Sequence, residues 1–170
     1  PILRPYDPIG STDCVDFDTR RPVFSTRGDK CHISHVVADT DSWEQKLAKT
    51  LEDMPEVIRY VKNDHLNFTI PYTLNGEEKP YIPDFIACIN DRKDSNNLLN
   101  LIIEVTGENK KDKAAKVSTA QTLWVPAINN HGDFGRWAFI EINDPWDAQN
   151  VIRRFIKTAD YIENKEIVHA

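Results

Sequence analysis

The chain has little of what holds a secreted or membrane-bound protein together. Its three cysteines, Cys14, Cys31 and Cys88, are an odd number without framework spacing. No disulfide scaffold is therefore expected, and a reducing, cytoplasmic setting is the default. No apolar run approaches a membrane span, and no charged start followed by an apolar stretch marks a signal peptide. Methionine occurs only at Met54 and the first residue is Pro1, so the chain reads as a segment of a longer polypeptide. Internal repeats and low-complexity tracts are absent, which excludes a solenoid or an array. Positive charge is in deficit: the formal net charge of -6 argues against broad phosphate contact. The bases that exist are clustered, with Lys110, Lys111, Lys113 and Lys116 in one group and Arg153, Arg154 and Lys157 in another.

What is present suffices for one domain. A chain of 170 residues that is 40% hydrophobic can bury a real core. Residues 1–40 are rich in Pro, Asp, Ser and Thr and read as an N-terminal connector that packs on something. Within it, "KCHISHVVA" offers one short strand. At "DSWEQKLAKTLEDM" Ser42 and Gln45 have capping-box spacing, and Trp43, Leu47 and Leu51 recur at helical period, so a helix starts there. Pro55 is expected to restart a helical turn, with "PEVIRYVKN" extending or kinking that helix.

Two β-rich runs, "LNFTIPYT" and "KPYIPDFIACI", flank the turn Asn75-Gly76 and predict a hairpin. "LLNLIIEVTG" is apolar on both faces and reads as a central strand. A helix over "ENKKDKAAKVSTAQTLWVPAINN" is expected to end near Pro126, followed by the strand "RWAFIEI" and the helix "DPWDAQNVIRRFIKTADYI". The predicted order is α-β-β-β-α-β-α, an α/β domain over residues 41–160 with a mixed sheet of about four strands, and a C-terminal tail over 161–170.

Within the stretch "IPDFIACINDRKDSNNLLNLIIEVTGENKKDK", Asp84 and Glu104 lie in runs that otherwise read as buried strands. A buried carboxylate is costly unless a cation or donors meet it. Alternation puts Asp84 on one strand face with Ile82, Ile86 and Cys88, and Glu104 on one face with Leu98, Asn100, Ile102 and Thr106. If those strands pair, the carboxylates converge, which favours a shared proton or a hard divalent cation such as Mg²⁺ or Mn²⁺.

"IPDF" followed by "IIEVTG" resembles the PD-(D/E)XK nuclease signature, whose core has the same α-β-β-β-α-β order. More narrowly, the run from "YIPDF" through "LIIEVTGENKKDKAAK" to "LWVPAINN" is similar to the C-terminal endonuclease domain of type III restriction enzyme Res subunits and related superfamily 2 helicase-nuclease proteins. The likeness covers roughly residues 42 to 142. It implies a restriction-endonuclease-like fold and Mg²⁺-dependent cleavage of double-stranded DNA. Implied partners are an ATP-driven helicase domain upstream in the same polypeptide, a modification or specificity subunit, and a second copy. It also implies metal ligation by Asp84, Glu104 and the Val105 carbonyl, with Glu44 as an accessory acid. Where the motif has lysine this chain has Thr106, so the charge is expected from the next helix, from Lys113 or Lys116. Lys110, Lys111, Gln121 and Trp124 are the implied DNA contacts.

Each feature also has a plainer reading. Asp84 after Pro83 can be a strand-end residue met by backbone donors, Glu104 can pair with a lysine, and a lysine run is usually a solvated helix face. Cys31, His32 and His35 lack a second ligand pair for zinc, and the four tryptophans read most simply as core aromatics. The leading alternative to a nuclease is a non-catalytic module of the same fold that binds DNA or docks a helicase motor.

Overall fold

The computed structural model describes residues 11–39, 42–92, 98–106 and 112–168, with side chains through residue 158. After a single turn at Thr12–Cys14 come two short antiparallel strands, β1 (Val23–Ser25) and β2 (His35–Val37). Cys31, Val36 and Ala38, in and beside this ribbon, are buried in the main core, and Lys30 donates to the Met54 carbonyl at 3.1 Å. Helix α1 (Trp43–Asp53) starts at its expected cap, Ser42, whose side chain accepts from the Gln45 N–H at 3.2 Å.

Past α1 the chain departs from expectation. "PEVIRYVKN" is not helical but forms strand β3 (Val57–Lys62). Pro55 follows a residue, Met54, that has already turned extended, and Val57, Ile58 and Val61 suit a strand. A register shift between Val57 and Arg59 leaves the buried residues Val57 and Tyr60 three apart, a spacing that mimics a helix face. Strands β4 (Ile70–Leu74) and β5 (Glu77–Tyr81) form the expected hairpin, and both Asn75 (φ 54) and Gly76 (φ 82) adopt the left-handed backbone its turn requires.

The run "KPYIPDFIACI" is not one strand. It breaks at Pro83 into β5 and β6 (Phe85–Ile89), and β4 with β5 forms a sheet of its own. The central sheet has the order β3-β6-β7-β8, with β7 (Leu99–Val105) antiparallel to β6 and parallel to β8 (Arg136–Ile142). It is mixed and four-stranded, as expected, but β3 takes the place foreseen for "LNFTIPYT". Between β7 and β8, helix α2 (Lys113–Thr119) passes through a π-helical stretch (Ala120–Trp124) into α3 (Val125–His131). Pro126 does not end this helix. The wider turn before it accommodates the missing N–H, and the helix stops at Gly132, whose φ is 84. Helix α4 (Ala148–Val168) continues past residue 160.

Two cores result, one on each face of the central sheet. Phe85, Ala87, Ile89, Leu101, Ile103, Ile140 and Ile142 pack against Leu47 and Leu51 of α1 and Ile152 of α4. On the opposite face, Ile102 and Phe139 pack against Ile70, Tyr72 and Tyr81 of the hairpin and Ala120 of the π-helical stretch. Phe68, Trp124 and Trp137 close this second core, Phe68 stacked on Trp137 at 5.7 Å and Trp124 edge-on to both. The expectation that all tryptophans are core fails for Trp146, which is 63% exposed.

Candidate functional site

The polar end of the second core begins with Asp84, the residue before β6. Asn63, at the end of β3, holds its backbone: the Asn63 N–H donates to the Asp84 carbonyl at 2.8 Å and Asn63 Nδ2 to the Pro83 carbonyl at 2.9 Å. The same amide donates to the Phe68 carbonyl at 2.7 Å and accepts from the Phe68 N–H at 3.2 Å, closing the loop that leads to β4. The chain therefore enters β6 at a fixed angle, set by a buried side chain.

The antiparallel register pairs Ile86 with Ile102 and Phe85 with Ile103. One step further along the same register, Asp84 stands across from Glu104, on the face of Ile86 and Ile102. Asp84 Oδ2 accepts from the Val105 N–H at 2.8 Å. Within a strand the N–H and C=O of one residue point to the same neighbour, so the Val105 carbonyl also faces the Asp84 side. Glu104 Oε2 accepts from the Tyr81 hydroxyl at 2.7 Å. Burial and then the Asp84 charge push the Glu104 carboxyl up to about 7, against the pull of the Tyr81 hydrogen bond and of Lys116. The Tyr81 hydroxyl is itself driven far above its ordinary value by burial and by Glu104, so it remains a donor.

The two candidate lysines of α2 go to different places. Lys113 ion-pairs with Glu141, which the parallel register sets beside Glu104. Lys116 instead lies over two rings, its Nζ 5.7 Å from the centre of Tyr72 and 5.9 Å from that of Tyr81. The Tyr72 hydroxyl donates to Asp112, just before α2, at 3.3 Å. Thr106 donates its N–H to the Ile142 carbonyl at 3.0 Å. Its hydroxyl is buried and has no hydrogen-bond partner among the described residues.

Glu44 sits apart. It pairs with Lys62 at 2.6 Å, and Lys62 stands opposite Phe85, on the α1 side of the sheet. Gln121 is exposed, Trp124 is half-buried in the aromatic cluster, and Lys110 and Lys111 lie outside the described residues. Sequence reasoning missed Asn63, Tyr72, Tyr81 and Glu141. Only Glu141 carried the signal used for the other two acids, a carboxylate inside an apolar strand run, "RWAFIEI".

No family model matches the chain, and no curated protein matches it. Among solved structures the chain is similar to the crystal structure of protein VC1899 from Vibrio cholerae, at 16% identity, over 68% of this chain and 31% of that one, with a TM-score of 0.25. The chain thus spans under a third of that protein's length, and a likeness at this TM-score decides nothing about fold or function.

Chemically, the cluster is a partly buried pair of carboxylates with one protonated phenol and one ammonium beside it. Among the described residues, no group of three or more His, Cys, Asp or Glu is arranged to hold a metal ion. A hard cation here would rest on Asp84, Glu104, the Val105 carbonyl and water, a donor set suited to ions that retain part of their hydration shell. No described helix is long and apolar enough to cross a membrane.

Proposed function

We propose that Asp84 and Glu104 form the centre of a Mg²⁺- or Mn²⁺-dependent DNA endonuclease module of the PD-(D/E)XK, restriction-endonuclease-like type. The observation that carries this reading is the register that sets Asp84 across from Glu104 on the polar end of one sheet face, with an ammonium nearby. The mixed four-stranded sheet, with α1 against one face and α2 and α3 against the other, supports it. A bound cation would supply a lowered water pKa and charge to offset a crowded phosphate.

The chain's own residues have separate tasks in this reading. Asp84 and Glu104 offer oxygen ligands, Asp84 held by the Val105 N–H and Glu104 by the Tyr81 hydroxyl. Lys116 takes the place of the motif lysine, orienting water and drawing phosphate charge, because Lys113 is already neutralised by Glu141. Double-stranded DNA approaches along α2, a helix without acidic residues that carries Lys116. An ATP-driven helicase domain, a modification or specificity subunit and a second copy are the partners that fit such a module.

The test is nicking of plasmid DNA by this chain with Mg²⁺, Mn²⁺ or chelator, alongside folded Asp84→Ala and Glu104→Ala proteins, with Mn²⁺ binding by calorimetry. Metal-dependent nicking lost in both variants is the expected result. Neither cutting nor Mn²⁺ binding in the unaltered protein overturns the reading. The uncharged Thr106 favours the second reading, a non-catalytic module that docks DNA or a motor domain, and DNA binding unaffected by metal would select it.

A further inference from the structure

Among the described residues the β4–β5 hairpin pairs with no strand of the central sheet, yet it delivers two buried tyrosines to the carboxylate end of that sheet. Its register pairs Ile70 with Tyr81 and Tyr72 with Lys79, which makes Tyr72 and Tyr81 diagonal neighbours on one face. The Asn75-Gly76 turn fixes that register, since a slip of one residue would put the two rings on opposite faces of the hairpin. From this face the Tyr81 hydroxyl reaches Glu104 Oε2 at 2.7 Å. Both rings flank the Lys116 ammonium, at 5.7 and 5.9 Å. The Tyr72 hydroxyl meets Asp112 at the start of α2.

A ring holds a cation differently from a carboxylate. The attraction comes from the quadrupole of the ring face, so the ammonium keeps its full charge and its N–H donors remain available. Lys113, three residues earlier, illustrates the other case: its charge is offset by Glu141.

We infer that the hairpin is the positioning element of the site: the Tyr81 hydroxyl fixes the Glu104 carboxylate, and the rings of Tyr72 and Tyr81 hold Lys116 beside it without neutralising it. The chemical purpose of this arrangement rests on the nuclease reading, whereas the placement of Lys116 is measurable without it. Tyr72 and Tyr81 act through Lys116 and Glu104 and are positioning residues, not catalytic ones.

The first measurement is the NMR shift of the Lys116 ε-methylene protons in the whole 170-residue chain, assigned by their loss in Lys116→Arg. Ring currents should move them upfield, Tyr72→Phe should keep them there, and Tyr72→Leu should return them toward the ordinary lysine position. Tyr72→Met, which fills the space without a ring, replaces Tyr72→Leu if that variant does not fold. An ordinary shift in the unaltered protein, or one indifferent to loss of the Tyr72 ring, overturns the inference.

The second measurement separates the two tyrosines. Tyr81→Phe should weaken Mn²⁺ binding by roughly threefold to tenfold, the loss of one hydrogen bond to a ligand carboxylate. Tyr72→Leu should leave Mn²⁺ affinity within about twofold while slowing nicking roughly tenfold, and Tyr72→Phe should restore most of the rate. Equal nicking by the Leu and Phe variants overturns the positioning role. A protein with the shifted resonance that neither binds Mn²⁺ nor nicks DNA overturns the nuclease reading while supporting the hairpin's hold on Lys116.

Discussion

The two faces of the central sheet are built to different ends. Toward α1 and α4 strands β6, β7 and β8 present an aliphatic and aromatic surface, from Phe85, Ala87 and Ile89 to Leu101, Ile103, Ile140 and Ile142, and the charges on that side are paired at its margins, Lys62 with Glu44 and Arg136 with Asp91. Toward the hairpin and α2 the same strands begin apolar, with Ile102 and Phe139, and then end in Asp84, Glu104 and Glu141. Because side chains alternate along each strand, neighbouring residues serve opposite purposes: Ile103 stabilises the fold and Glu104 costs it stability. Carboxylates gathered side by side at one end of a face mark where function is expected, since their mutual repulsion adds to the cost of their desolvation.

Four experiments break or sharpen this contrast. Ile103→Ala, on the aliphatic face, should lower stability by about 4 kcal/mol in urea unfolding, because Ile103 is fully buried and its cavity cannot collapse between α1 and the sheet. Asn63→Ala should cost about 3 kcal/mol, as it strips partners from the part-buried Phe68 and the buried Pro83 backbone groups. It should also weaken Mn²⁺ binding, by releasing the segment that carries Asp84. A loss of stability with unchanged Mn²⁺ affinity would show that Asp84 needs no such anchor.

Glu104→Gln should have the opposite sign. An acid whose folded-state value stands above its unfolded one holds its proton more tightly when folded. The stability it lends is full below the ordinary glutamate range and is lost as pH rises through about 7. The unaltered protein should therefore be less stable at pH 8 than at pH 5. The glutamine variant should be more stable than it at pH 8 by about 2 kcal/mol, after allowance for the partial exposure of Glu104. Equal stability at both pH values would mean that the two faces do not differ as argued. The smallest effect belongs to Ser42→Ala, about 1 kcal/mol for the lost cap of α1, with no change in Mn²⁺ affinity because α1 packs on the other face.

How much of this was legible in the sequence depended on whether the signal was local. The cap at Ser42, the turn at Asn75-Gly76 and the central strand through "LNLIIEV" are each specified by residues within a few positions of one another, and each was read correctly. Strand β3 carries a helix-like pattern because its bulge sets Val57 and Tyr60 at a helical interval, a defect in alternation that pairing with β6 explains. Helix α2 was expected to stop at Pro126, because a proline in a regular helix removes an N–H and clashes. The π-helical stretch before it removes that conflict.

By itself the sequence determined which neighbours share a face with each carboxylate along its own run, since a period of two is a property of the extended backbone, whereas the pairing of β6 with β7 in a register that sets Asp84 across from Glu104 was decided by the tertiary structure. The sequence also determined that a lysine-bearing helix follows directly. Only the tertiary structure decided which lysine stands at the carboxylates. Lys113 and Lys116 are one turn apart and equivalent in pattern, and their different partners depend on the parallel register that brings Glu141 beside Glu104 and on the hairpin that brings Tyr72 and Tyr81 across the sheet face. Those contacts join residues more than twenty positions apart, and local propensity carries no record of such distances.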